Sequence, residues 1–124
     1  MKVQELITFI KTLVPGDYFP HSFPISRLAP DECSAVRITG GFPTSQWTGK
    51  RQPSFQIRVR GTDDSETETR AYKIHKALTN LREVKVGDNS IVVIRAMTPV
   101  PVHLGEDENG RIIYTMNFDT VIRP

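Results

Sequence analysis

Residues 54–82, SFQIRVRGTDDSETETRAYKIHKALTNLR, change their hydrophobic period once. From Ser54 to Arg60, the apolar Phe55, Ile57 and Val59 alternate with Gln56, Arg58 and Arg60, the period of a strand with one buried face. Gly61 to Asp64 breaks the alternation, and Ser65 with Glu68 then has the spacing of a capping box, which satisfies free amides at a helix start. Beyond it Ala71, Ile74, Leu78 and Leu81 recur at helical spacing. Glu66 and Glu68 stand early in this segment and Lys73, Lys76 and Arg82 late, as the helix dipole favours. A strand handing over to a helix sets a mixed α/β class.

Upstream, Val3, Leu6, Ile7, Ile10, Leu13 and Val14 form the apolar stripe of an amphipathic helix that Pro15-Gly16 ends. Asp17 to Asp31, with prolines at 20, 24 and 30 and with Phe19 and Phe23 between them, predicts an extended connection pinned by its aromatics. Ser34 to Thr39 reads as a strand closed by Gly40-Gly41. Residues 41–53, too rich in Gly, Pro and polar side chains for core, make a long loop between two strands that pair as a hairpin. Downstream of a turn at Gly87-Asp88, Ile91-Val92-Val93-Ile94 suits a central strand. After a turn at Asn109-Gly110, Ile112, Tyr114, Met116 and Phe118 alternate along a long last strand. The expected architecture is α/β in the α+β sense: one domain over residues 1–124, with two helices packed on a largely antiparallel sheet of four strands or slightly more.

The bulk numbers narrow the function classes. A chain of 124 residues with 38% hydrophobic content supplies one core. A net charge of +2 and a pI near 8.9 permit nucleic-acid contact without demanding it. Cys33 is the single cysteine, so an intramolecular disulfide and a four-cysteine zinc site are excluded, and a reducing compartment fits. The amino-terminal stripe lacks a cleavage site, and no run approaches the roughly 20 apolar residues of a membrane-spanning helix. No membrane association is expected.

Chemistry-bearing constellations are sparse. His21, His75 and His103 lack ligand spacing. Cys33 in DECSA carries no nucleophile signature and reads as buried filler, and neither Ser45 nor Ser54 sits in a Gly-x-Ser-x-Gly elbow. Gly49-Lys50 lacks the remainder of a phosphate loop. The acidic clusters DDSETE and GEDEN are explained by helix capping and a solvated turn, without EF-hand spacing. No catalytic residue, metal ligand or cofactor is expected, and no enzyme. Two features stand out. Gln56, Arg58 and Arg60 share one strand face, with Lys50 and Arg51 just before it: a strip for a phosphate backbone or an acidic neighbour, or an ordinary solvated face. Trp47 lies in a polar loop, as an interface anchor or folded back over the core.

The segments QPSFQIRVRG (52–61), AYKIHKAL (71–78), PVHLGEDENGR (101–111) and YTMNFD (114–119), in that order, resemble the phage minor capsid family of long-tailed phages. The element order also resembles tail terminators, small α/β proteins that form a hexameric ring on the last ring of tail-tube protein, stop its growth and present a surface for the head. The resemblance implies a virion structural protein at the tail or head-tail junction, assembled in the host cytoplasm. Its partners would be further copies of itself, the tail-tube protein, a head-completion or connector protein, and phage DNA that passes without specific binding. Lys50, Arg51, Arg58 and Arg60, with Trp47, would then line a channel or meet a neighbouring subunit, whose Glu106, Asp107 and Glu108 are candidate partners. The alternative is a small nucleic-acid-binding module that uses the Arg58 and Arg60 face with Trp47 as a stacking platform.

Overall fold

The alternation at residues 54–60 becomes a ten-residue strand because both of its neighbours supply ladders. The computed structural model describes residues 1–24 and 29–124, in the order α1 (Val3–Leu13), β1 (Tyr18–Pro20), β2 (Cys33–Phe42), β3 (Gln52–Gly61), α2 (Asp64–Leu78), β4 (Leu81–Val86), β5 (Asn89–Ala96), β6 (Val102–Glu106) and β7 (Ile112–Ile122). Of the extended connection expected over Asp17 to Asp31, residues 25–28 lie outside the described residues.

The strands form one curled sheet in the order β1-β2-β3-β7-β5-β4, with β6 also on β7. Among the described residues it has seven strands, more than the four or so expected, and it is mixed, because β1 runs parallel to β2 while the other ladders are antiparallel. β7 is the hub. It pairs β3 along one side, and on the other its first half pairs β6 and its second half β5.

Both helices cover the face that Phe55, Ile57, Val59, Tyr114, Met116 and Phe118 present. Leu6, Ile7 and Ile10 of α1 and Ala71, Ile74 and Leu78 of α2 join them in one apolar cluster, and the Phe55 and Phe118 rings stack at 5.1 Å. Burying a side chain of this size stabilises the fold by about 1.5–3 kcal/mol.

Several expectations need correction. α2 is capped by Asp63, whose carboxylate accepts from the Glu66 amide at 3.1 Å, rather than by Ser65. Glu68 instead turns to the Tyr114 hydroxyl, 3.0 Å away. Leu81 continues the helical spacing but belongs to β4, because Asn80 takes a left-handed φ of 59° and ends the helical path. Gly40-Gly41 does not close β2. A bulge at Thr39 precedes them, both glycines have positive φ and pair with Ser54 and Pro53 as the strand continues to Phe42, and a Cβ on Gly41 would stand 2.1 Å from the Gln52 carbonyl oxygen. His75 is buried, with Nε2 2.9 Å from the Thr98 carbonyl.

Candidate assembly interface

The ladders place the two long hairpins at opposite ends of the sheet. Gly61 stands opposite Ile112 at one end, while Ser54 faces Asp119 and Arg51 bridges Ile122 at the other. The β2–β3 connection therefore projects from the second end and the β6–β7 turn from the first.

The β2–β3 connection is ordered by its own hydrogen bonds. Ser45 Oγ accepts from the Trp47 and Thr48 amides at 3.3 Å each, the Gly49 amide donates to Ser45 O at 2.9 Å, and the Ser45 amide to Lys50 O at 3.1 Å. This turn holds Trp47 outward at 87% exposure, with Phe42 at 68% on the strand leading to it. Of the two readings of Trp47, the structure excludes a ring folded back over its own core. Lys50 is exposed, and Arg51 donates to Oδ1 of Asn89, the first residue of β5, at 3.2 Å.

Arg58 and Arg60 share a face of β3, as the alternation requires, but they are not a solvated strip. The Phe23 ring lies over both, 5.1 Å from the Arg58 guanidinium carbon and 4.8 Å from that of Arg60. Arg60 is only 2% exposed, its Nε donating to Asp31 O at 3.1 Å and its Nη2 to Pro30 O at 2.8 Å. It clamps the connection before β2 to the sheet. Arg58 is half-buried. Burial first, and then the Arg37 guanidinium on β2, work against its charge. Lys50, Arg51, Arg58 and Arg60 are thus not one patch: they run from one end of the sheet into a covered region near the other. A phosphate could reach Arg60 only by displacing two backbone carbonyls, which removes the guanidinium pair on which the nucleic-acid reading relied.

The β6–β7 turn is equally built. Asp107 accepts from the Asn109 and Arg111 amides at 2.9 Å and from Arg111 Nε at 2.8 Å. Desolvation opposes ionisation of Asp107, but these donors outweigh it and hold the carboxyl below its ordinary value. Glu106 and Glu108 flank it, exposed. The start of α2 reaches the same end, since the Tyr114 hydroxyl lies 2.9 Å from Asp64 Oδ1, and Asp31 pairs with Arg111 at 3.4 Å. Asp31, Asp63, Asp64, Glu66, Glu106 and Glu108 therefore gather around one end. At the opposite end Lys2, Lys50, Arg51, Lys85 and Arg123 outnumber Glu5, Glu83 and Asp88.

Among the described residues no group of His, Cys, Asp and Glu is arranged to hold a metal ion, and no helix is long and apolar enough to cross a membrane. Cys33 is 1% exposed, and burial pushes its thiol upward against the pull of Arg60, Arg70 and Arg111, as suits buried filler.

A small α+β domain with ordered, chemically different loops at its two ends presents two unlike surfaces to other proteins. Comparison with known proteins gives the family: residues 18–123 match the model of the bacteriophage tail terminator protein family, and the chain belongs to it. It is thereby a structural component of a phage tail, residing in the virion among other virion proteins. A chain from the virion of a native gene transfer agent particle shares the fold, with a TM-score of 0.67 and 12% identity over 98% of this chain and 90% of that one. No curated protein sequence matches.

Proposed function

We propose that the protein is the terminator itself: a single domain over residues 1–124 that closes into a ring through contacts alone, caps the tail tube and stops its polymerisation.

 The polarity of the sheet carries this reading. A terminator needs two unlike faces, one for the last ring of tube protein and one for the head, and the two ends differ in this way. The Trp47 and Phe42 end, apolar within basic surroundings, docks on the tail-tube protein, because a rigid exposed aromatic is the usual centre of a protein interface. The acidic end faces the head-completion or connector protein. Copies of the chain contact one another around a channel, six to the ring as in the terminators that the sequence resembles. Lys50, Arg51 and Arg58, with Glu106 and Glu108, serve as subunit or channel contacts, while Arg60 and Asp107 hold in place the segments that present them. Phage DNA passes without specific binding, which a net charge of +2 favours. Assembly takes place in the host cytoplasm.

The test is tail length. Phage lacking the chain should make tubes longer than normal that carry no heads, scored by electron microscopy of lysates. Tails of normal length joined to heads in its absence would refute the proposal.

A further inference from the structure

Among the described residues, four of the eight exposed large apolar side chains, Met97, Val100, Val102 and Leu104, fall within eight consecutive residues on and just before β6. β6 pairs β7 on one side, and no strand among the described residues pairs its other side. An open edge of this kind invites strand addition, and proteins usually blunt it with charge, proline or a bulge that twists the edge away. The β4 edge is blunted in this manner: Arg82, Glu83 and Lys85 are exposed on it, and Glu83 takes a left-handed φ of 54°. β1 is three residues long and ends in Pro20. β6 has a bulge between His103 and Gly105, but from Val102 to Gly105 it carries no proline and no Asp, Glu, Lys or Arg.

A second open edge lies diagonally across the sheet. β1 covers β2 only at Ser34 to Val36, so from Arg37 to Phe42 no strand among the described residues pairs the outer side of β2. β2 is antiparallel to β3, β3 to β7, and β7 to β6, so β2 and β6 run in opposite directions. Copies related by rotation around a ring keep those directions, so the β6 edge of one copy meets the β2 edge of the next as an antiparallel pair. In a register that sets Phe42 opposite Val102, both apolar and exposed, Arg37 lies within one residue of Glu106, opposite in charge.

We infer that β6 (Val102–Glu106) of one copy adds to Arg37–Phe42 of the next, so that the sheet continues from subunit to subunit. The two edges are different surfaces, so the contact is heterologous, as ring closure requires. This inference rests on the ring reading above and names the surfaces that would build the ring.

The experiment is a crosslink in assembled particles. Phage carrying Phe42→Cys together with Val102→Cys, oxidised and run on a denaturing gel, should give a ladder of covalent multimers, while each single variant gives the monomer band. The buried Cys33 takes no part. Particles that contain the doubly substituted chain but release only monomer overturn the inference and leave the terminator reading standing; particles that lack the wild-type chain altogether overturn that reading as well. Because the double variant could fail to assemble, amide hydrogen exchange is measured on the wild-type protein, free and in purified tails. Exchange at 102–106 should slow at least about tenfold in tails while that of 81–86 stays unchanged. Unchanged exchange at 102–106 in tails overturns the strand addition.

Discussion

Replacing Arg60 by alanine should destabilise the monomer far more than the same change at Arg58. Arg60 makes two charge-assisted hydrogen bonds to the Pro30 and Asp31 carbonyls and lies under the Phe23 ring, with 2% exposure. Hydrogen bonds to a charged group contribute about 1.5–3 kcal/mol each, and the ring contact roughly 0.5–2 kcal/mol. Relief of the desolvation of a buried charge offsets part of that sum, leaving a loss of about 3 kcal/mol. Arg58 shares the ring at 5.1 Å but is half-buried, so its loss should be about 0.5–1 kcal/mol. Urea unfolding followed by circular dichroism reads the difference: with a slope of about 2 kcal/mol per molar, the midpoint should fall by about 1.5 M for Arg60→Ala and by less than about 0.5 M for Arg58→Ala. Equal small shifts would refute the clamp and return Arg60 to the surface as an interface residue.

Trp47→Ala should leave the urea midpoint within error, because the side chain touches little of its own domain, yet it should weaken docking to purified tail tubes in a pelleting assay. Asp63→Ala removes the α2 cap and should lower stability by about 1 kcal/mol, read by the same urea titration. Gly41→Ala forces a side chain into left-handed backbone and against the Gln52 carbonyl, and should lower the melting temperature by on the order of 10 °C in calorimetry. For Asp107, whose folded carboxyl lies below its unfolded value, the stabilisation is present above the unfolded pKa and is lost as pH falls through the folded one. Asp107→Asn should therefore flatten the acid limb of stability against pH, in urea titrations between about pH 5 and pH 2.

The elements legible in the sequence are those with one buried face. β3, β7 and α2 declare themselves through Phe55, Ile57 and Val59, through Tyr114, Met116 and Phe118, and through Ala71, Ile74 and Leu78. β4 and β6 are sheet edges, where burial is too partial to impose alternation, and Leu81 stands three residues after Leu78, so that helix and strand read alike. Trp47 was recognisable because its neighbours are polar. The burial of Arg60 was not, since alternation tells which residues share a face but not what lies over it. The cover, Phe23 with the Pro30 and Asp31 carbonyls, arrives from about 30 residues earlier in the chain. Nor does spacing along the chain reveal that Lys50 and Glu108 occupy opposite ends; only the strand ladders do.

The central place of β7 bears on when this molecule becomes competent. β3, β5 and β6 all emerge from the ribosome before the strand that joins them, so until residues 112–122 are made, β3 has only β2, β5 only β4 and β6 no strand partner, and the apolar face beneath the helices has no middle. Completion of the sheet must wait for synthesis to reach that strand, because pairings so distant along the chain close last. A ribosome-bound chain cut short before Ile112 would have no platform for its β6 edge. Subunits thus enter the assembly pool only as finished molecules.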